Sequence, residues 1–124
     1  MELTESRRAH EQGWLWAAKL LTGVLIFGIL ILHLIVNHLV AAEGLLSYAD
    51  IVAYYANPLI PLMEGLFLVF VVTHSLLGVR GIVLDLSPPA RAVRLLDGLL
   101  LAVGLVAIGY GLWLLFTIVG RAAG

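Results

Sequence analysis

Three residues stand where ionisable side chains are rare: His33, Glu64 and His74 each lie inside a long apolar stretch. No Lys, Arg, Asp or Glu occurs from Leu20 to Ala42 or from Gly98 to Gly120, and Glu64 is the only one between Ile51 and Val79. A polar group so placed needs a partner, a cavity or a cofactor, and is a functional hypothesis by default. The plain alternative for each histidine is one interhelical hydrogen bond, worth only about 0.6–2 kcal/mol. Two histidines in otherwise apolar segments point further, to axial ligation of haem iron. A neutral imidazole offers iron a lone pair with no net charge to desolvate, which suits a dry site.

The neighbours of each histidine fit that chemistry. Gly78 follows His74 by one turn and would let a flat macrocycle approach, and Arg80 beyond it is a natural partner for a propionate or a quinone oxygen. Thr22 and Gly23 precede His33 by about three turns and fall on nearly the same helical face. From the expected helix ends, His33 lies roughly 14 Å below one membrane surface and His74 roughly 22 Å below it. A difference of about 8 Å favours two haems stacked across a membrane, each taking one ligand here. The opposite ligands must then come from a partner chain. His38 points about 140° away from His33 and reads as a solvated or propionate-bonding residue; His10 lies in a polar arm. Glu64 is the candidate for proton transfer, with snorkelling to the interface as its simpler reading. Arg80 and Asp85 are candidates for a quinone site, or for anchoring a helix end.

The elements that must position these residues are legible from composition. The chain has 124 residues, 62% hydrophobic and 12% charged, against roughly a quarter charged in soluble domains. Each apolar stretch supplies the about 20 residues that a helix needs to cross a bilayer, and the absence of period-two alternation excludes a barrel. The expected fold is an all-α membrane protein with three transmembrane helices, at about 14–42, 58–86 and 91–119. A polar arm over 1–13 is expected to lie on the membrane surface, and a short interfacial helix within 45–57. Pro58 and Pro61 open the second span, and Ser87-Pro88-Pro89 breaks it from the third. The third span's Gly98, Gly104, Gly109 and Gly111 are expected to mark close helix packing. Arg7, Arg8, Lys19, Arg80, Arg91 and Arg94 gather at one side, which places the N-terminus and the 87–90 turn in the cytoplasm and the C-terminus outside. Cysteine is absent, so this chain holds no iron–sulfur cluster or thioether-linked haem. A net charge of −1 gives no sign of nucleic-acid binding.

The run His74-Ser-Leu-Leu-Gly-Val-Arg-Gly-Ile-Val-Leu-Asp85, with Lys19-Leu-Leu-Thr-Gly-Val24 and His33 in the first span, resembles the small membrane-anchor subunits of succinate dehydrogenase (complex II) and fumarate reductase. The resemblance runs from about Trp14 to the end of the third span and is most specific between His74 and Asp85. It implies a D-type, haem b-binding anchor of a succinate:quinone oxidoreductase in the cytoplasmic membrane, without activity of its own. His74 would ligate the haem nearest an iron–sulfur subunit and His33 the distal haem of two-haem members. The implied partners are a C-type anchor that completes the helical bundle, the iron–sulfur subunit and a flavoprotein, with a quinone (menaquinone) as acceptor. Two positions depart from the pattern: Leu86 stands where many D-type members have Tyr, and Lys19 where Arg is more usual. The rival readings are the same anchor with a single haem, in which His33 is only a hydrogen-bonding residue, a different diheme quinol-oxidising cytochrome, and a cofactor-free structural membrane subunit.

Overall fold

Apolar composition without charge drives each long segment into a helix, since only a helix satisfies its own backbone in hydrocarbon. The computed structural model describes residues 2–40 and 47–124, with side chains from residue 13 onward except at position 40. The elements are α1 (Glu2–Ile35), a π-helical turn (Val36–Val40), α2 (Tyr48–Tyr55), α3 (Leu59–Asp85) and α4 (Ala90–Ala122). Among the described residues there is no strand. Three segments are long and apolar enough to cross a membrane: Gly13–Leu39, Leu59–Asp85 and Ala90–Ala122.

The element ends follow local chemistry. Ser47 caps α2 in a reciprocal box with Asp50: the Asp50 amide donates to Ser47 Oγ at 3.2 Å, and the Ser47 amide to Asp50 Oδ2 at 2.9 Å. Pro58 precedes α3 and Pro61 falls in its first turn, where no amide proton is needed. At the other end Ser87 adopts a left-handed φ of 53° and its amide donates to Leu84 O at 2.9 Å. Pro88 and Pro89 then stop the chain from continuing, and α4 starts at Ala90.

One boundary differs from expectation. The polar arm is not a separate element, because the backbone is helical from Glu2 through Gly13 without a break. Its Glu, Arg, Ala and Gln residues favour helix, and one glycine costs only about 1 kcal/mol. At Ile35 the first α-helix passes into a π turn over Val36–Val40, and the expected end near Ala42 falls beyond it. Ala42, Glu43 and Gly44 lie outside the described residues.

Packing follows the chain order α1–α3–α4, with α2 lying against α3 and α4. Antiparallel folding at Pro88–Pro89 sets residues equidistant from the turn against each other. A Cβ on Gly104 would come within 2.7 Å of Leu76 Cδ1, and one on Gly111 within 2.5 Å of Leu68 Cδ2. Two glycines of α4 are therefore the hollows that receive two leucines of α3. Gly98 and Gly109 meet nothing within 4 Å, so close packing rests on the other pair alone. Among the described residues only Ile60, Met63 and Leu115 are buried hydrophobic side chains, while many large ones, Leu99, Val106, Trp113 and Phe116 among them, stay exposed. Those faces require an apolar surrounding that the chain itself does not supply. Gly111→Leu should overpack the α3–α4 seam and lower stability by about 1–3 kcal/mol, read as a drop in the thermal unfolding midpoint in detergent.

Candidate functional site

His74 sits where α3 crosses α1, and the first span is shaped to receive it. Its Nδ1 lies 3.0 Å from the Lys19 carbonyl oxygen and 3.3 Å from Thr22 Oγ1. The Thr22 hydroxyl is itself directed at the Ala18 carbonyl, 2.7 Å away. Nδ1 therefore carries the proton and donates it to Lys19 O, which leaves the lone pair on Nε2. Nε2 has no hydrogen-bond partner among the described residues. Gly23 makes the crossing possible, because a Cβ there would meet His74 Cε1 at 3.0 Å and Nδ1 at 3.5 Å. Thr22 and Gly23 thus serve His74, although their spacing in sequence points to His33.

A cavity of about 470 Å³ opens beside the ring, lined by Trp16, Leu20, Gly23, Val24, Phe27 and His74. The Lys19 side chain reaches its edge, with the ammonium against Gly81, where a Cβ would be 3.3 Å from Nζ. Gly78, one turn from the histidine, has nothing within 4 Å of a would-be Cβ. A metal-ligating histidine usually donates its other ring N–H to a carbonyl or carboxylate, which fixes the tautomer and raises ligand basicity. The protonated Nδ1, the open Nε2, the apolar cavity and the glycines together fit a haem held by His74.

A second cavity of about 360 Å³ lies toward the turn end, lined by Leu15, Trp16, Lys19, Arg80, Gly81 and Asp85 among others. The two expected quinone-site residues, Arg80 and Asp85, are therefore brought together. Arg80 is also committed elsewhere: its Nε donates to Asp97 Oδ1 at 2.7 Å and its Nη2 to Asp97 Oδ2 at 3.2 Å. This forked pair ties α3 to α4, and Lys19 is left as the cation shared by both cavities.

His33 belongs to a different polar group, farther from the Pro88–Pro89 turn along the same α1–α3 contact. Its Nδ1 is 2.9 Å from Glu64 Oε1, and Tyr54 of α2 donates its hydroxyl to the same oxygen at 3.2 Å. Asn37 Nδ2 lies 3.1 Å from both ring nitrogens of His33, over the ring, and Phe67 stacks on the ring with centroids 5.3 Å apart. Glu64 does not snorkel: its side chain is 15% exposed and turned inward. Burial, and then the neighbouring Glu64 carboxylate, push the Tyr54 phenol well above its ordinary 10.0; the same two causes raise Tyr55. His38 is exposed, and the His10 side chain lies outside the described residues.

Similarity to known proteins now decides the family. The family model "Succinate dehydrogenase/Fumarate reductase transmembrane subunit" matches residues 4–111. The chain belongs to that family. It is 31% identical over 114 residues to the succinate dehydrogenase hydrophobic membrane anchor subunit of Archaeoglobus fulgidus, covering 92% of this chain and 97% of the relative. No solved structure matches.

In this transmembrane subunit the residues that sequence reasoning missed are Asn37, Tyr54 and Asp97. Two of them had a readable signal. Asn37 follows His33 by four residues, the spacing that stacks side chains on one helical face. Asp97 and Arg80 are opposite charges equidistant from the Pro88–Pro89 turn. Tyr54 had only its place in the loop. A raised phenol pKa means the folded state holds that proton more tightly than the unfolded state. Stability from it is present below the ordinary value of 10.0 and is lost as pH rises through the folded one. In an alkaline titration followed by tyrosinate absorbance, Tyr54→Phe should remove the latest-titrating component, and Glu64→Gln should move it back toward the ordinary range.

Proposed function

We propose that this subunit anchors a succinate:quinone oxidoreductase to the cytoplasmic membrane and holds a b-type haem through Nε2 of His74. The observation that carries the reading is the state of that imidazole: Nδ1 is engaged by the Lys19 carbonyl at 3.0 Å, while Nε2 has no partner beside an apolar cavity of about 470 Å³. The haem, when bound, supplies a one-electron carrier within the membrane. The chain contributes an oriented lone pair, room for the ring at Gly23, and apolar walls from Trp16, Val24 and Phe27.

A haem held by His74 would need a further ligand from a partner anchor of C-type, since the cavity side of His74 offers no other imidazole from this chain among the described residues. Placing the turn end in the cytoplasm, as the Lys and Arg distribution favours, sets the 360 Å³ cavity beside an iron–sulfur subunit that passes electrons on from a flavoprotein. That cavity is the candidate for the quinone headgroup, menaquinone among the acceptors of this chemistry. Lys19 offers a cation to a quinone oxygen or a propionate, and Asp85 is the acidic residue of the same lining. Arg80, forked onto Asp97, positions α3 against α4 and shapes the cavity wall.

The test is a reduced-minus-oxidised spectrum with pyridine-haemochrome quantitation on the purified complex. His74→Ala should remove haem b, and Gly23→Leu should lower its content by crowding the ring. Haem b at wild-type level in His74→Ala would refute the assignment. For the turn-end cavity, Lys19→Gln should lower quinone reduction about 10-fold or more, the loss of one charge-assisted hydrogen bond of about 1.5–3 kcal/mol, while succinate oxidation with an artificial acceptor stays unchanged.

A further inference from the structure

We infer that the polyprenyl tail of the quinone lies in an apolar groove between α3 and α4, entered from the turn-end cavity over Leu77 and Arg80. The inference rests on the placing of the headgroup in that cavity proposed above, and adds the path of the tail.

The groove has a volume of about 300 Å³ and is lined by Val72, Leu76, Leu77, Leu101 and Ile108 among others, with Arg80 and Asp97 at one end. Leu77 and Arg80 also line the turn-end cavity, so the two spaces share a wall. On α3 the cavity takes residues from Leu77 to Asp85, and the groove residues from Val72 to Arg80. The groove therefore lies deeper in the span, its midpoint roughly 7–8 Å further from the turn. On α4 it runs from Asp97 to Ile108, a rise of about 16 Å. That is about half of the roughly 30 Å hydrocarbon core. A headgroup at the turn end with its tail in the groove thus spans one leaflet.

The lining suits a neutral, flexible chain. Its charged residues, Arg80 and Asp97, are forked onto each other at 2.7 and 3.2 Å, so the lining carries no net charge to draw a phospholipid phosphate. A partner helix laid along the groove would cover that ion pair, whereas a tail needs only the apolar length beyond it. Holding Arg80 toward α4 also leaves Leu77 as an apolar sill between head and tail. Thr73, Leu76 and Arg80 lie roughly 100–160° round α3 from His74, so a tail in the groove leaves the haem cavity clear. Lipid is as apolar as the groove, so the tail gains packing contact and the headgroup a fixed approach, with nothing added by dehydration.

The experiment uses the intact complex in phosphatidylcholine vesicles, as wild type, Leu101→Trp, Leu105→Trp and Val106→Trp. All three side chains are exposed, so a larger one is accommodated, and Val106 lies outside the groove. A menaquinone analogue with a diazirine in its tail is photolysed and its adducts are mapped by mass spectrometry. Wild type should carry adducts within 72–77 or 100–108 that excess menaquinone competes away. Leu101→Trp and Leu105→Trp should lower them about fivefold or more, and Val106→Trp should not. In fumarate-dependent quinol oxidation the two groove variants should raise KM for menaquinol about fivefold or more and leave KM for menadiol, the same headgroup without a tail, unchanged. Adducts confined to other helices or to partner subunits would overturn the inference. So would adducts that excess menaquinone does not compete away, the mark of a phospholipid chain, or an equal effect on both quinols. If a tryptophan variant does not assemble, the wild-type adducts and their competition decide. Lys19→Gln separates the two readings: it should impair both quinols, and wild-type turnover of both would refute the headgroup placing whatever the adducts show.

Discussion

Hydrocarbon cannot hydrogen-bond a polar side chain, and every polar group placed in the spans must therefore be met by a neighbouring helix. That constraint sets the helix register in this subunit. His74 meets the Lys19 carbonyl and Thr22, and His33 meets Glu64, so α1 and α3 are pinned at two levels. Arg80 meets Asp97, which pins α3 to α4. Sliding either pair by one turn would strand these groups and move Leu68 and Leu76 off the glycines that receive them. Each polar bond is weak in isolation, of the order of 1 kcal/mol. Their joint effect is specificity of register, with few buried apolar side chains behind it.

The two histidines show how the same residue type takes different roles from its surroundings. His74 is oriented by a backbone carbonyl, which no side-chain substitution removes, and one ring nitrogen stays open. His33 is surrounded by side chains: Glu64 at Nδ1, Asn37 over the ring and Phe67 stacked on it. A backbone-oriented imidazole beside glycines and a cavity is arranged for a ligand. An imidazole that meets a carboxylate of the neighbouring span joins the two helices at that level. The exposed leucines, valines and aromatics of α4 add that the chain is built for surroundings of lipid and other helices.

Much of this was legible in the sequence. Three spans, the short helix near Tyr48, the Pro88–Pro89 break and the family were all readable, because charge-free runs, prolines and the His74–Asp85 string act locally. Chain order alone sets His74, Arg80 and Asp85 toward the turn end of the second span. What sequence could not show was partnership across helices. Counting turns along one helix matches Thr22 and Gly23 to His33, but their neighbour is His74 on another. Arg80 reads as a free cation until the hairpin closes and brings Asp97, 17 residues away, against it. The spacing of Asn37 from His33 was readable, but the π turn at Val36–Val40 left no mark in the sequence pattern. Polarity does not distinguish a separate arm from the first turns of a longer helix, so the continuity of α1 through Gly13 leaves no mark in composition.

Electron cryomicroscopy of the intact complex tests the assignment of His74 most directly. The account predicts haem iron at bonding distance from Nε2 of His74, with Nδ1 still on the Lys19 carbonyl. His74 turned away from any haem would contradict it.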